Sequence, residues 1–142
     1  MIAKTTKLVE EAFKAQNWNY NIDEHPDGKN SALITGFDLK SGRSLQIFFI
    51  STEMEKGEDL AVRVFQYMTV PEGKLEKAIS ACNEANGKYR FVRFVCRNNG
   101  NIAMEMDMPA ETQNVGAVAI ELLYRLLDIA DDAYPEFEKA LA

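Results

Sequence analysis

The chain holds few residues that could do chemistry, and their neighbours narrow what each can do. Its one histidine, His25, sits in the run Asp23-Glu24-His25-Pro26-Asp27. A histidine among carboxylates has the donor types of a metal site, but metal ligands must converge in a fixed geometry. Pro26 and Asp27-Gly28 instead punctuate a solvated surface turn. Cys82 and Cys96 have the atom for nucleophilic attack. Each lies on an apolar stripe, where a buried structural thiol is the simpler reading. Met104, Met106 and Met108 recur with period two, as core residues of a strand do. Glu53, Glu55, Glu58 and Asp59 lack the spacing of a calcium loop and read as an acidic, solvated loop. Asp128, Asp131 and Asp132 fall on the polar side or edge of a helix. No phosphate loop, dinucleotide glycine pattern, or serine or cysteine triad signature is present. The chain is therefore expected to be no enzyme and to carry no cofactor.

One stretch deserves a separate test. Gly87-Lys88-Tyr89-Arg90-Phe91-Val92-Arg93-Phe94-Val95 comes close to the signature strand of an RNA-recognition motif. Its first two positions are inverted, and Arg90 stands where a small residue is needed. The strand can also be registered against the next one, Asn101 to Met108. With Asn98-Asn99-Gly100 as a three-residue loop and Gly100 left-handed, Cys96 faces Ile102 and Phe94 faces Met104. That makes one consistently apolar face, which is what fixes a register. The opposite face then pairs Val95 with Ala103, Arg93 with Glu105, and Phe91 with Asp107. Tyr89 and Phe91 would stand there beside Arg93 and Arg97. The two carboxylates on that face would repel phosphate. No nucleic acid partner is expected.

The elements that position these residues follow from periodicity. A helix over about Thr6 to Gln16 carries Leu8, Val9, Ala12, Phe13 and Gln16 on one stripe. A short strand, Trp18 to Ile22, leads through the His25 turn to the strands Ala32–Leu39 and Ser44–Ser51. After the acidic loop, a long strand spans Leu60–Val70. Pro71 then suits the start of a second helix, with Leu75, Ala78, Ile79 and Cys82 on one face and a stop near Asn86-Gly87. The hairpin Tyr89–Arg97 and Asn101–Met108 closes at Pro109. Thr112 or Asn114 can cap a third helix. Its stripe is Val115, Val118, Ala119, Leu122, Leu126, Ile129 and Ala133, widened by Leu123 and Leu127. The fold class is α+β: a five- to six-stranded antiparallel sheet with three helices, in the order α-β-β-β-β-α-β-β-α, within one domain over 1–142.

Composition agrees with this class. Apolar residues make up 46% and charged residues 27%, values of a globular domain with a core. Sixteen Lys and Arg against 22 Asp and Glu give a formal net charge of -6, which disfavours polyanion partners. Two cysteines do not make a disulfide framework, so a reduced, cytoplasmic protein is expected. The N-terminal stretch has charges inside any apolar run and does not read as a signal peptide. The most apolar helix is interrupted by Glu121, Arg125 and Asp128, and no membrane span is expected.

The order of elements, taken with several short motifs, resembles the bacterial YbjN-like family, described as sensory transduction regulators, and the related type III secretion chaperone-like fold. The motifs are Trp18-x-Tyr20 after the first helix, Cys82-Asn83-Glu84-Ala85-Asn86 leaving the second, and Tyr89-Arg90-Phe91. Met108-Pro109 ends the last strand. The final helix reads Leu122-Leu123-Tyr124-Arg125-Leu126-Leu127-Asp128, ending in Ala133-Tyr134-Pro135. The resemblance implies helices packed on an antiparallel sheet, and commonly dimers. It implies no catalytic residues.

A sheet covered by helices on one side should be polar on the other. Here Leu45, Ile47 and Phe49 take one face, yet Phe48 and Ile50 take the other. Arg63, Phe65, Tyr67 and Thr69 alternate with Val62, Val64, Met68 and Val70. Either the helices divide between the two faces or an apolar patch is left exposed. The second case gives a candidate interface of Phe48, Ile50, Arg63, Phe65, Tyr67, Tyr89, Phe91 and Arg93. It would serve a homodimer or a polypeptide partner of a non-enzymatic regulatory or chaperone-like module. A small-ligand sensor with a pocket between sheet and helices is the alternative.

Overall fold

The computed structural model describes residues 2–27, 29–54, 57–110 and 114–142 and, of residues 53 and 54, the backbone alone. Among these, the chain forms α1 (Lys4–Ala15), β1 (Asn21–Glu24), β2 (Asn30–Asp38), β3 (Ser44–Met54), β4 (Gly57–Thr69), α2 (Leu75–Lys88), β5 (Arg93–Cys96), β6 (Asn101–Pro109) and α3 (Val115–Leu141). The strands make one antiparallel sheet in the order β1-β2-β3-β4-β6-β5. This is the expected fold class and element order.

Strand alternation sets two unlike faces. Leu33, Leu45, Ile47, Phe49, Leu60, Val62, Val64, Phe94, Ile102, Met104 and Met106 are buried on one of them. All three helices pack there and share a single core with those residues. The helices do not divide between the faces; among the described residues no helix covers the other side. The β5–β6 register is the one expected, with Cys96 opposite Ile102, Phe94 opposite Met104, Val95 opposite Ala103 and Arg93 opposite Glu105. Gly100 has φ +82, the left-handed conformation that the three-residue loop requires.

Helix α1 begins without a side-chain cap of its own. The sheet supplies partners instead: Glu58 Oε1 accepts from the Thr5 amide at 3.0 Å, and Ser31 Oγ accepts from the Ala3 amide at 3.0 Å. The stretch expected as an acidic loop is thus a hairpin, in which Glu53 pairs with Glu58 and Asp59 with Thr52. Glu55 lies outside the described residues. Helix α1 ends where Asn17 turns left-handed at φ 57 and the Trp18 amide returns to the Phe13 carbonyl. Trp18 and Tyr20 are not strand residues as expected. Both pack edge-on to Phe13, with Trp18 also meeting Phe37 and Tyr124.

Helix α2 starts four residues after Pro71, because Pro71 opens a turn with Gly73 at φ +80 rather than the helix. Its buried residues are Ala78, Cys82 and Ala85. Leu75 and Ile79, expected on the core stripe, are exposed. The helix ends at Lys88, beside the expected stop at Asn86-Gly87; the Asn86 carboxamide bonds the amide and carbonyl of Phe94, occupying a free edge of β5. Helix α3 begins after Asn114, while Thr112 lies outside the described residues. It continues through Pro135 to Leu141. Proline removes one helical donor, but Phe137 and Leu141 are buried beyond it and hold the last turns to the core.

Helices α1 and α3 touch where α3 carries Gly116. A Cβ at Gly116 would stand 2.7 Å from the Leu8 carbonyl oxygen and 3.2 Å from Ala12 Cβ. Alanine normally stabilises a helix relative to glycine, by about 1 kcal/mol. Here the clash with backbone reverses the sign, and Gly116→Ala should lower stability by roughly 1–3 kcal/mol. At Gly87 in α2 a Cβ meets nothing within 4 Å, so Gly87→Ala should raise stability by up to about 1 kcal/mol. Urea midpoints of the two variants should move in opposite directions.

Candidate interaction surface

The uncovered face can be read across the strands. One row runs Asn21, Ile34, Phe48, Arg63, Glu105, Arg93 and the next runs Asp23, Ala32, Ile50, Ala61, Asp107. The middle strands therefore contribute an apolar field, and the β4–β6–β5 side contributes charge. Phe48 and Phe65 meet edge to face, with centroids 5.0 Å apart, and Phe65 is 38% exposed.

The charged side is a connected cluster. Arg63 donates to Asp107 Oδ1 at 2.7 Å and to the Met106 carbonyl at 2.9 Å. Arg93 donates to Glu105 Oε1 at 2.8 Å and lies 3.4 Å from Asp107 Oδ2. Arg97 pairs with the other oxygen of Glu105. Glu105 is only 5% exposed, although no helix lies over it. Its cover is the two arginines, whose own side chains remain 58% and 43% exposed.

Five of the eight candidate residues lie on the outer sheet face and three do not. Phe48, Ile50, Arg63, Phe65 and Arg93 share the outer face as expected. Tyr67 does not. The β4–β6 register shifts between Val64 and Met68, so that Val64 opposes Met104 and Met68 opposes Ile102. Four steps on β4 match two on β6, and the slack turns Tyr67 into the core. There its hydroxyl donates to the Ala130 carbonyl at 2.6 Å, and its ring meets Phe94 and Phe137. Burial, above all, pushes its phenol well above the ordinary value. Arg43 bonds the Tyr67 carbonyl and lies over the Tyr134 ring at 4.7 Å. Tyr89 and Phe91 also leave the face, because β5 begins only at Arg93. Tyr89 packs near Phe94 and its hydroxyl bonds Asp132 of α3. Phe91 has φ 71 and lies under Arg125 of α3. The aromatic pair that would stack RNA bases is thus not formed on the sheet.

The register shift also shapes the outer face. Pairing between β3 and β4 runs from the hairpin only as far as Phe48 opposite Arg63. Beyond that point the strands part, and a hollow of about 340 Å³ opens between Ser44, Gln46, Phe48, Phe65 and Gln66. A second hollow, of about 580 Å³, lies between α2 and α3 over Ala81, Ala85, Ala133 and Phe137.

The other chemical candidates are occupied elsewhere. The Asp27 carboxylate accepts from the Lys29 amide at 2.8 Å and from the Asn30 amide and side chain. Led by the Lys29 amide, these bonds hold its pKa down at about 2. His25 accepts from the Asp27 amide at 3.2 Å, so both residues serve the turn. No group of three metal-binding side chains gathers among the described residues. Burial pushes the Cys82 thiol up to about 12, far from a nucleophile at neutral pH. No described helix is long and apolar enough to cross a membrane.

Residues 5–139 match the YbjN family, whose description is "Putative bacterial sensory transduction regulator". The chain belongs to the YbjN family. Among curated proteins, none matches it. A chain in the solved structure of the heterodimeric ExoU–SpcU complex, from the type III secretion system of Pseudomonas aeruginosa, shares 16% identity with it. The match covers 75% of this YbjN-family chain and 82% of that one at a TM-score of 0.40, too loose to bear on partner or mechanism.

Tyr67 gives a test of the register shift. Tyr67→Phe should cost about 1–2 kcal/mol by leaving the buried contact to the Ala130 carbonyl unmade. Because the folded state raises this phenol, its contribution is complete below the unfolded pKa of about 10 and declines as pH rises beyond it. Stability measured by urea from neutral to strongly alkaline pH should fall at the alkaline end, and less steeply in Tyr67→Phe.

Proposed function

We propose that this YbjN-family chain is a non-enzymatic protein-interaction module, regulatory or chaperone-like, whose contact surface is the uncovered sheet face. The observation that carries the reading is that face itself, with Ile34, Phe48, Ile50 and Phe65 left without helical cover. Exposed apolar surface rimmed by charge is what a docking partner removes from water. On β2 and β3 the absence of a helical layer is not compensated by polar side chains, as it is in a one-sided sheet that faces solvent. The thiols and the histidine turn, bound up in structure, support a role without catalysis. Two free cysteines suit a reducing compartment such as the cytoplasm.

The face serves a polypeptide partner and, in its absence, closes on a second copy of the chain. A stable contact of this kind buries roughly 800 Å² per partner, an area within reach of a six-stranded sheet face. A small-ligand sensor has less support. The space between sheet and helices is filled by Tyr67, Phe94, Phe137 and their neighbours, and the hollow between α2 and α3 lies beside it.

Sedimentation equilibrium at micromolar concentration should find the unmodified chain as a dimer. Phe65→Glu should be a monomer with an unchanged far-UV circular dichroism spectrum. A monomeric unmodified chain would remove self-association. A Phe65→Glu variant that stays dimeric would place the contact elsewhere.

A further inference from the structure

Resting on the reading of the sheet face just given, we propose that its polypeptide partner presents one large apolar side chain to the Phe48–Phe65 hollow and a carboxylate to Arg93 and Arg97. Two independent features of the face require the two halves of this description.

The first is the hollow. It lies on the outer side of the sheet where β3 and β4 part, and its volume of about 340 Å³ is at the low end for a ligand site. Phe48 and Phe65 form its apolar wall, and Ser44, Gln46 and Gln66 its polar rim. That size and lining suit an anchoring side chain of a protein partner better than a whole cofactor.

The second is the charge count. Among the described residues, Arg63, Arg93 and Arg97 form ion pairs with Glu105 and Asp107 alone, three guanidiniums against two carboxylates. Water satisfies the surplus while Arg93 and Arg97 are exposed. A partner that covers the face strips that water, and an uncompensated guanidinium in a dry contact is strongly disfavoured. A carboxylate from the partner restores the balance and can be gripped through two N–H groups at once. A lysine or arginine there would be repelled. The net charge of -6 for the whole chain does not override this, because at physiological salt screening confines the effect of remote charges to about 8 Å.

Strand spacing fixes the separation of the two features. From the β3–β4 gap across β6 to β5 is two to three strand intervals, roughly 10–15 Å. An extended segment spans this in about 3–4 residues, and a helix in about 7–10.

The test is selection of a random displayed peptide library on the unmodified full-length chain, followed by synthesis of the dominant peptide. Selected sequences should share a large apolar residue and an Asp or Glu at constant spacing. Fluorescence anisotropy should show binding weakened at least about tenfold when the peptide carboxylate is replaced by its amide, a change that leaves the protein untouched. Phe65→Glu should abolish binding. Peptides without acidic enrichment, or indifferent to amide replacement, yet lost in Phe65→Glu, would overturn this inference and leave the face as the contact surface. Peptides unaffected by Phe65→Glu would overturn both. A dimeric chain that selects no peptide would assign the face to a second copy alone and overturn the inference.

Discussion

The structure turns on a local misfit in β4. Between Val64 and Met68 the strand spends four residues where β6 spends two, and the surplus rotates Tyr67 through the sheet. A tyrosine buried in a core needs a partner for its hydroxyl, and Tyr67 finds the Ala130 carbonyl in the middle of α3. Its own carbonyl, freed from the ladder, is taken by Arg43 from the turn between β2 and β3. That turn is tied a second time, through the Lys40 amide to Asp131. One irregularity thus fastens a strand, a turn and a helix. It also explains how α3 survives Pro135: the lost helical bond sits beside a carbonyl clamped to the sheet, and Phe137 packs tilted against Phe94 just beyond.

The same misfit makes the two faces unequal. Turning Tyr67 inward leaves Phe65 as the aromatic residue that stays outside, against Phe48. Parting β4 from β3 opens the hollow beside them. With α1 docked through Ser31 and Glu58 and pressed onto Gly116 of α3, the helical layer is complete on one side. The outer face consequently keeps the apolar field that a second layer would ordinarily cover.

How far the fold was legible depended on whether side chains or backbone decided the outcome. The β5–β6 register could be read because a one-residue slip would place Met106 or Phe94 against charge. Helix stripes around Val9, Phe13, Ala119 and Leu126 followed from a period of 3.6. The β4 misfit left no such trace, since Arg63, Phe65, Tyr67 and Thr69 alternate as in an unbroken strand. Phe91 carries no glycine-like signal for its positive φ, so Tyr89 and Phe91 were expected on the sheet; backbone geometry took them to α3. Pro71 and Pro135 misled in opposite ways, one opening a turn ahead of α2 and the other lying inside α3. Of the eight interface candidates, the five whose placement rests on simple alternation remain on the outer face.

The ionic cluster has a further consequence for how that face can work. Glu105 is almost wholly shielded from water in the isolated chain, by Arg93 and Arg97 of its own sheet. Most of the desolvation of a buried carboxylate is therefore met on folding, where Arg63, Glu105 and Arg93 also lock adjacent strands in one row. Removing Arg93 or Arg97 would leave that carboxylate buried without its full countercharge, which is why such a change would disturb the fold as well as the surface. What the proposed partner would meet is a set of guanidiniums already held on one side by carboxylates, with about half of each side chain still exposed. Ordering long side chains is a main cost of charged contacts, and here the fold has imposed much of that order. A charged contact that would be weak on a mobile surface becomes directional on this one.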